Sequence, residues 1–259
     1  MKKLVTILMV NDDGDIIRDC LKNRLENFDL IAIEDSSHDN TPEVCKEFLH
    51  RYPDRILYRW DDTPLTIKYH RTQLYRMLMN KGVKDDTWLW QMDTDIFFNG
   101  TKDHMLETLK IADEEKANCI VCRIAQFYLT FEDMELMRHW KEFQYYSLNW
   151  RSKIIYKGVS KLFFRTDDQE TPSVPDEKRC SLSPTVRHYQ YRSIEQIKKK
   201  LKRAYKTRSY SHVISPEWED YIVDKDFLSK WDDNTHRRQH HSWRSLVQLT
   251  KEKRGQKIP

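Results

Sequence analysis

Residues 4–98 alternate between short apolar runs and segments of helical period, and that alternation fixes the class of fold. Leu4 to Val10 is apolar and rich in β-branched residues, and Asn11-Asp12-Asp13-Gly14 ends it in a turn. Across Asp15–Glu26, Ile16, Ile17, Cys20, Leu21 and Leu25 recur at helical spacing. Leu30–Ile33 reads as a second strand, and Thr41 with Pro42 opens a second helix carrying Val44, Cys45, Phe48 and Leu49. Arg55–Trp60, Ile67–Asn80 and Thr87–Met92 repeat the pattern as strand, helix and strand. Helices of about a dozen residues between strands predict a doubly wound, mostly parallel α/β sheet.

The fourth strand runs into two acids. Trp88-Leu89-Trp90-Gln91-Met92 leads to Asp93-Thr94-Asp95, and Ile96-Phe97-Phe98 follows. Carboxylates next to an apolar environment need a partner, and a bound cation is the usual one. In an extended or tightly turned segment, positions i and i+2 point the same way, so Asp93 and Asp95 can converge on one ion. Oxygen ligands suit a hard divalent cation, Mg2+ or Mn2+. The alternative is two exposed aspartates in a turn. The location favours the ion, because open α/β sheets bind ligands at the carboxyl ends of their strands.

Composition bounds the rest. A chain of 259 residues can bury one large core, with a C-terminal extension. Its net charge of only +4 argues against a general polyanion binder. Five cysteines at irregular spacing do not make a disulfide framework, and Cys119 and Cys122 read as strand residues in the core. The apolar run after Lys2-Lys3 is too short for a signal peptide core, and no segment is long enough to span a membrane. The expectation is a cytoplasmic protein.

Ile31-Ala32-Ile33-Glu34-Asp35-Ser36-Ser37-His38-Asp39-Asn40-Thr41 resembles the strand-and-loop signature of family 2 glycosyltransferases, a hydrophobic strand followed by D-D-x-S-x-D-x-T. The family's Asp-x-Asp motif is matched downstream by Asp93-Thr94-Asp95. Glu34 departs from the pattern, standing where the family has aspartate. The resemblance covers Leu4 to about Phe98. It implies a GT-A (Rossmann-like) fold that binds a nucleoside-diphosphate sugar across the ends of the first four strands, with UDP favoured. By that analogy Asn11 and Asp12 lie beside the nucleobase, and Glu34 holds base or ribose. Asp62 contacts the base, Lys68 and Arg71 contact the nucleotide, and Asp93 and Asp95 hold Mn2+ or Mg2+. The other reading of Lys68 and Arg71 is a solvated helix face. Asp39 is expected to cap its own loop.

Beyond residue 98 the pattern thins. Thr101–Glu115 reads as a helix, Cys119–Leu129 as one strand or two, and Met134, Leu136, Met137 and Trp140 as a short helix. Lys161–Arg165 reads as a strand before a long polar loop, Thr166–Pro184, that could act as a lid. Arg187-His188-Tyr189-Gln190-Tyr191-Arg192-Ser193 resembles an element near the end of some bacterial glycosyltransferases, which makes His188 the candidate third metal ligand. A hydrogen-bonded histidine packed beside tyrosines is the other reading. An inverting transfer needs a carboxylate base, and Asp167 or Asp168 stands in a plausible region. Ser193 with Gln196 predicts a capping box for a helix that carries Lys198, Lys199, Lys200, Lys202 and Arg203. The domains expected are 1–192, catalytic, and 193–259, a basic helical extension packed on it.

The function expected is metal-dependent transfer of a sugar to an acceptor hydroxyl on a saccharide or glycan. The basic helix keeps a DNA acceptor open, with hydroxylated bases as targets. A nucleotidyltransferase is a further alternative, but the amino-terminal turn holds only Gly14 where a glycine-rich phosphate loop is needed. A non-catalytic nucleic-acid-binding module is the last; it predicts metal-independent, salt-sensitive binding.

Overall fold

The computed structural model describes residues 4–63, 67–149, 154–158, 162, 174, 176–207, 216–231 and 243–255. The chain forms two compact units, Met1–Arg123 with Ser152–Val186, and Ile124–Arg151 with Arg187–Pro259. Residue 192, the boundary expected from sequence, falls inside the second unit. That unit interleaves two stretches that are distant in sequence.

The first unit begins with β1 (Leu4–Val10), α1 (Ile17–Asn27), β2 (Leu30–Asp35), α2 (Thr41–Arg51), β3 (Ile56–Trp60), α3 (Ile67–Asn80) and β4 (Trp88–Gln91). Then come β5 (Ile96–Phe98), α4 (Lys102–Glu114) and β6 (Cys119–Val121), with β9 (Ile154–Lys157) returning later in the chain. The sheet order is β3-β2-β1-β4-β9-β6. β1 pairs in parallel with β2 and β4, β2 in parallel with β3, and β9 is antiparallel to both β4 and β6. The alternation of strand and helix thus becomes a mostly parallel sheet, as the sequence predicts.

Paired residues share a face of a sheet, so the register sorts the side chains. Val5 and Ile7 of β1 align with Leu30 and Ala32 of β2, and Val5 with Leu89 of β4. This face packs against Leu74, Tyr75 and Leu78 of α3. Further along it, Met9 aligns with Glu34, and Glu34 with Arg59. A dry core therefore gives way to charge at the carboxyl end of the sheet. On the opposite face Trp90 meets the rings of Phe28, at 5.6 Å, and Phe98, at 5.8 Å. All five cysteines are buried and unbridged.

In the second unit β7 (Arg123–Tyr128), β8 (Tyr145–Asn149), β10 (Thr185–Tyr191) and β11 (Ser229–Lys230) run in the order β11-β8-β7-β10. Phe127 stacks on Tyr189 with centroids 4.9 Å apart, and Trp231 closes on Tyr146 at 5.0 Å. Aromatics of the chain's last third thus pack onto its middle. The helix expected near Met134–Trp140 is broken. α5 (Phe131–Glu135) ends early because Met137 takes φ 50, leaving Leu136 and Met137 exposed. α6 (Ile194–Thr207) is capped by Ser193 Oγ accepting from the Gln196 N–H at 3.1 Å. The return half of that capping box is not made, since the buried Gln196 amide has no hydrogen-bond partner among the described residues. The expected strand Lys161–Arg165 lies outside the described residues, apart from Leu162.

Candidate functional site

The carboxyl ends of β3, β2, β1 and β4 form one edge. β1 has β2 on one side and β4 on the other, so chain direction around the sheet reverses there. That switch point is where open α/β sheets place their ligands.

Met92 N–H donates to Ile7 O at 3.3 Å, which carries the extended chain just past β4. Ile96 N–H then donates to Asp93 O at 3.2 Å and closes a turn over Asp93-Thr94-Asp95-Ile96. Asp95 is buried and Asp93 half-buried. Beneath the turn lies Arg24 of α1, fully buried. Its Nη2 donates to Asp93 O at 3.3 Å and to Ile96 O, and its Nη1 to Asn23 Oδ1 at 2.8 Å. Asn23 in turn holds both the N–H and the carbonyl of Phe98. Burial pulls the Arg24 pKa down, against nearby negative charge that includes Asp93 and Asp95. Thr94 Oγ1 donates to Asp13 Oδ2 at 2.7 Å, tying the turn to the loop after β1.

The loops after β1 and β2 are laced together. Asn11 Nδ2 donates to Ser36 Oγ at 2.7 Å, and Asp12 N–H to Ser37 Oγ at 2.6 Å. Asp12 sits at φ 55, a left-handed conformation aspartate tolerates, and its carboxylate accepts from the His38 N–H at 2.7 Å. Asp39 accepts from the Thr41 N–H at 3.0 Å and the Gly14 N–H at 3.3 Å, the loop-capping role expected of it. Asp35 is fully buried, held by Tyr58 OH at 2.9 Å and the Ser37 N–H at 2.8 Å. These bonds fix the loop backbone before any ligand arrives.

Glu34 is the unusual carboxylate. It is 3% exposed, its Oε1 lies 2.6 Å from His70 Nδ1 and 3.6 Å from Arg59, and its Oε2 has no hydrogen-bond partner among the described residues. Burial raises its pKa above the ordinary 4.5, and His70 and Arg59 only partly offset that. That oxygen is itself covered by protein, so a ligand N–H or O–H would reach it only if a neighbouring side chain moved. The raised pKa gives a test with a definite sign. The fold favours the protonated form, so this contribution to stability is complete below pH 4.5 and lost as pH rises through the folded pKa. Glu34→Gln removes that loss, so its melting temperature should gain on wild type as pH rises from 4.5 through the folded pKa and then level off. Parallel melting curves would contradict this.

Glu34, Asp61 and His70 offer ligand atoms within 4.8 Å of one another. Arg59 bonds Asp61 and lies beside Glu34, so a fixed positive charge already occupies that cluster. A second cation is disfavoured there. The turn at Asp93 and Asp95 fits a divalent cation better: it offers two carboxylates, one of them buried, and Arg24 beneath it is engaged by backbone carbonyls.

Of the remaining sequence candidates, Asp62 is exposed just past β3, while its neighbour Asp61 joins the Glu34 cluster. Lys68 is half-buried and Arg71 buried on α3, so neither lies on a solvated face. Between them His70 reaches Glu34, a role sequence reading missed. Asp167 and Asp168 lie outside the described residues. His188 lies half-buried on β10 of the second unit, where its carbonyl accepts from Gln126 Nε2 at 3.3 Å. On α6, Lys198, Lys199 and Lys202 are exposed, and Lys200 Nζ donates to Gln190 O at 2.9 Å.

The family model described as glycosyl transferase family 2 matches residues 5–167. No curated protein matches the chain. Among solved structures, "Crystal structure of GalNAc-T7 with UDP, GalNAc and Mn2+" aligns at TM-score 0.37 and 9% identity, covering 50% of this chain and 24% of that one. A 4-diphosphocytidyl-2C-methyl-D-erythritol synthase aligns at TM-score 0.38 and 7% identity, covering 61% of this chain and 76% of that one. The chain therefore spans about a quarter of the first structure.

Proposed function

Because the chain belongs to glycosyl transferase family 2, we propose that it moves a sugar from a nucleoside-diphosphate sugar to an acceptor hydroxyl. The observation that carries this reading is the Asp93–Ile96 turn at the sheet's switch point, with Asp95 buried and Arg24 bracing it from below. Asp93 and Asp95 would hold Mn2+ or Mg2+. When bound, such a cation neutralises charge on the departing diphosphate. Glu34 would contact the base or ribose, and a UDP-sugar is the favoured donor. Arg24 keeps the turn in one geometry, so the carboxylates need not reorganise on binding. Lys68 and Arg71 add positive charge on α3. A saccharide is the favoured acceptor. The proton on its hydroxyl needs a carboxylate base, for which Asp167 or Asp168 remains the candidate from sequence.

The direct experiment is a panel of nucleotide sugars with Mn2+ or Mg2+, following release of the nucleoside diphosphate. One donor should be hydrolysed or transferred well above the rest, and chelation should stop it. Release from none, across metals and saccharide acceptors, would refute the reading.

A further inference from the structure

A threonine stands between the two acids of Asp93-Thr94-Asp95, and it is buried. A buried hydroxyl needs a hydrogen-bond partner, and a nearby backbone carbonyl commonly serves. Thr94 instead donates to a carboxylate 81 residues away, Asp13 Oδ2, at 2.7 Å. Asp13 is itself well fixed. Its carbonyl accepts from the Ile16 N–H at 3.0 Å and the Ile17 N–H at 2.9 Å, which sets it at the start of α1. Its neighbours Asn11, Asp12 and Gly14 all bond the loop after β2.

The same helix grips the turn a second time. Arg24, in the last turn of α1, donates to Asp93 O and Ile96 O. Two fixed points leave a segment free to rotate about the line that joins them. A third point off that line removes the freedom, and the Thr94 hydroxyl supplies it. The segment carries both carboxylates, so such a rotation would re-aim Asp93 and Asp95 together. We propose that Asp13 is a positioning residue for the sugar transfer, and that through Thr94 it aims these two carboxylates at the cation. This rests on the donor and cation reading given above. The bond has an ionised acceptor, which makes it stronger than a neutral one. Anchors at both ends of one helix hold the site in its binding geometry before the cation arrives, so that less ordering is left for the binding step.

The test is calorimetric titration of the full chain with whichever of UDP, GDP, CDP and ADP binds best, once with Mn2+ and once with chelator. Thr94→Val keeps the shape of the side chain and the charge of Asp13, and removes only the hydroxyl. It should weaken nucleotide binding with Mn2+ about tenfold, the scale of one hydrogen bond to a charged group, and leave binding in chelator unchanged. Thr94→Ser should restore wild-type binding. Asp13→Asn, which keeps a neutral acceptor, should fall between. If Thr94→Val binds as wild type does with Mn2+, the inference fails and the donor reading stands. Equal losses with Mn2+ and with chelator would make the bond a support of the fold alone, and the inference fails. It fails too if Thr94→Ser does not recover, or if Asp13→Asn loses the Mn2+ effect while Thr94→Val keeps it, since Asp13 would then act by its charge. If wild type binds no nucleotide more tightly with Mn2+, the cation reading falls and takes this inference with it.

Discussion

Arg24→Leu should destabilise the protein by about 3–5 kcal/mol, the range for breaking a buried charged network. The side chain is fully buried and makes bonds to Asp93 O, Ile96 O and Asn23 Oδ1. Leucine fills part of the space but takes the Arg24 donor from Ile96 O and leaves Asp93 O with only the Ile96 N–H, and a buried carbonyl that loses its donor costs about 1–3 kcal/mol. It also removes a buried positive charge that interacts with the Asp93 and Asp95 carboxylates. For a chain of this size the fall in melting temperature should be on the order of 10 °C. Loss of the charge should leave a second signature. Without Arg24, Asp93 and Asp95 lose one positive neighbour, so Mn2+ should raise the melting temperature of the variant more than that of wild type. A loss under about 1 kcal/mol, or an unchanged Mn2+ response, would mean that Arg24 does not support the turn.

Asp95→Asn should reduce sugar transfer by about 100- to 1000-fold, as expected when several kcal/mol of charge stabilisation is removed from a transition state. Asparagine keeps the size and one acceptor oxygen, so the buried position should tolerate it. The melting temperature without ligand should change little. Asp93→Asn should show the same loss in smaller measure, because Asp93 is half-buried and its place on the cation is more readily taken by water. The decisive pattern is activity lost with stability kept. Transfer within threefold of wild type in Asp95→Asn would remove that carboxylate from the chemistry.

Much of the first unit was legible because its signals are local. The apolar run Leu4–Val10 is β1 to the residue, and the helical pattern Ile67–Asn80 is α3. Arg24 shows how a legible pattern can be misread. Ile17, Cys20, Leu21 and position 24 follow one helical stripe, and all four are buried. The spacing therefore called for an apolar residue at 24, and an arginine there was the mark of a buried structural charge. Sequence reading credited Leu25 instead, which is only half-buried. His70 could not be found this way. Its partner Glu34 is 36 residues away, and only the packing of α3 on the face shared by Glu34 and Arg59 brings them together. The same holds for the second unit. Phe127, Tyr146, Tyr189 and Trp231 form one aromatic core from three separated stretches, a long-range arrangement that periodicity does not report.

The central claim is that a cation and a nucleotide bind together at the end of β4. Its most direct test is the affinity of wild-type protein for UDP, or for whichever nucleoside diphosphate the donor panel selects, with Mg2+ and with chelator. Linkage requires that each ligand tighten the other by the same factor. At a hundredfold excess over the dissociation constant, the nucleotide should stabilise the fold by about 2.7 kcal/mol with Mg2+, and by far less with chelator. Asp95→Ala should erase that difference. Equal affinity with and without the cation, in wild type, would contradict the account.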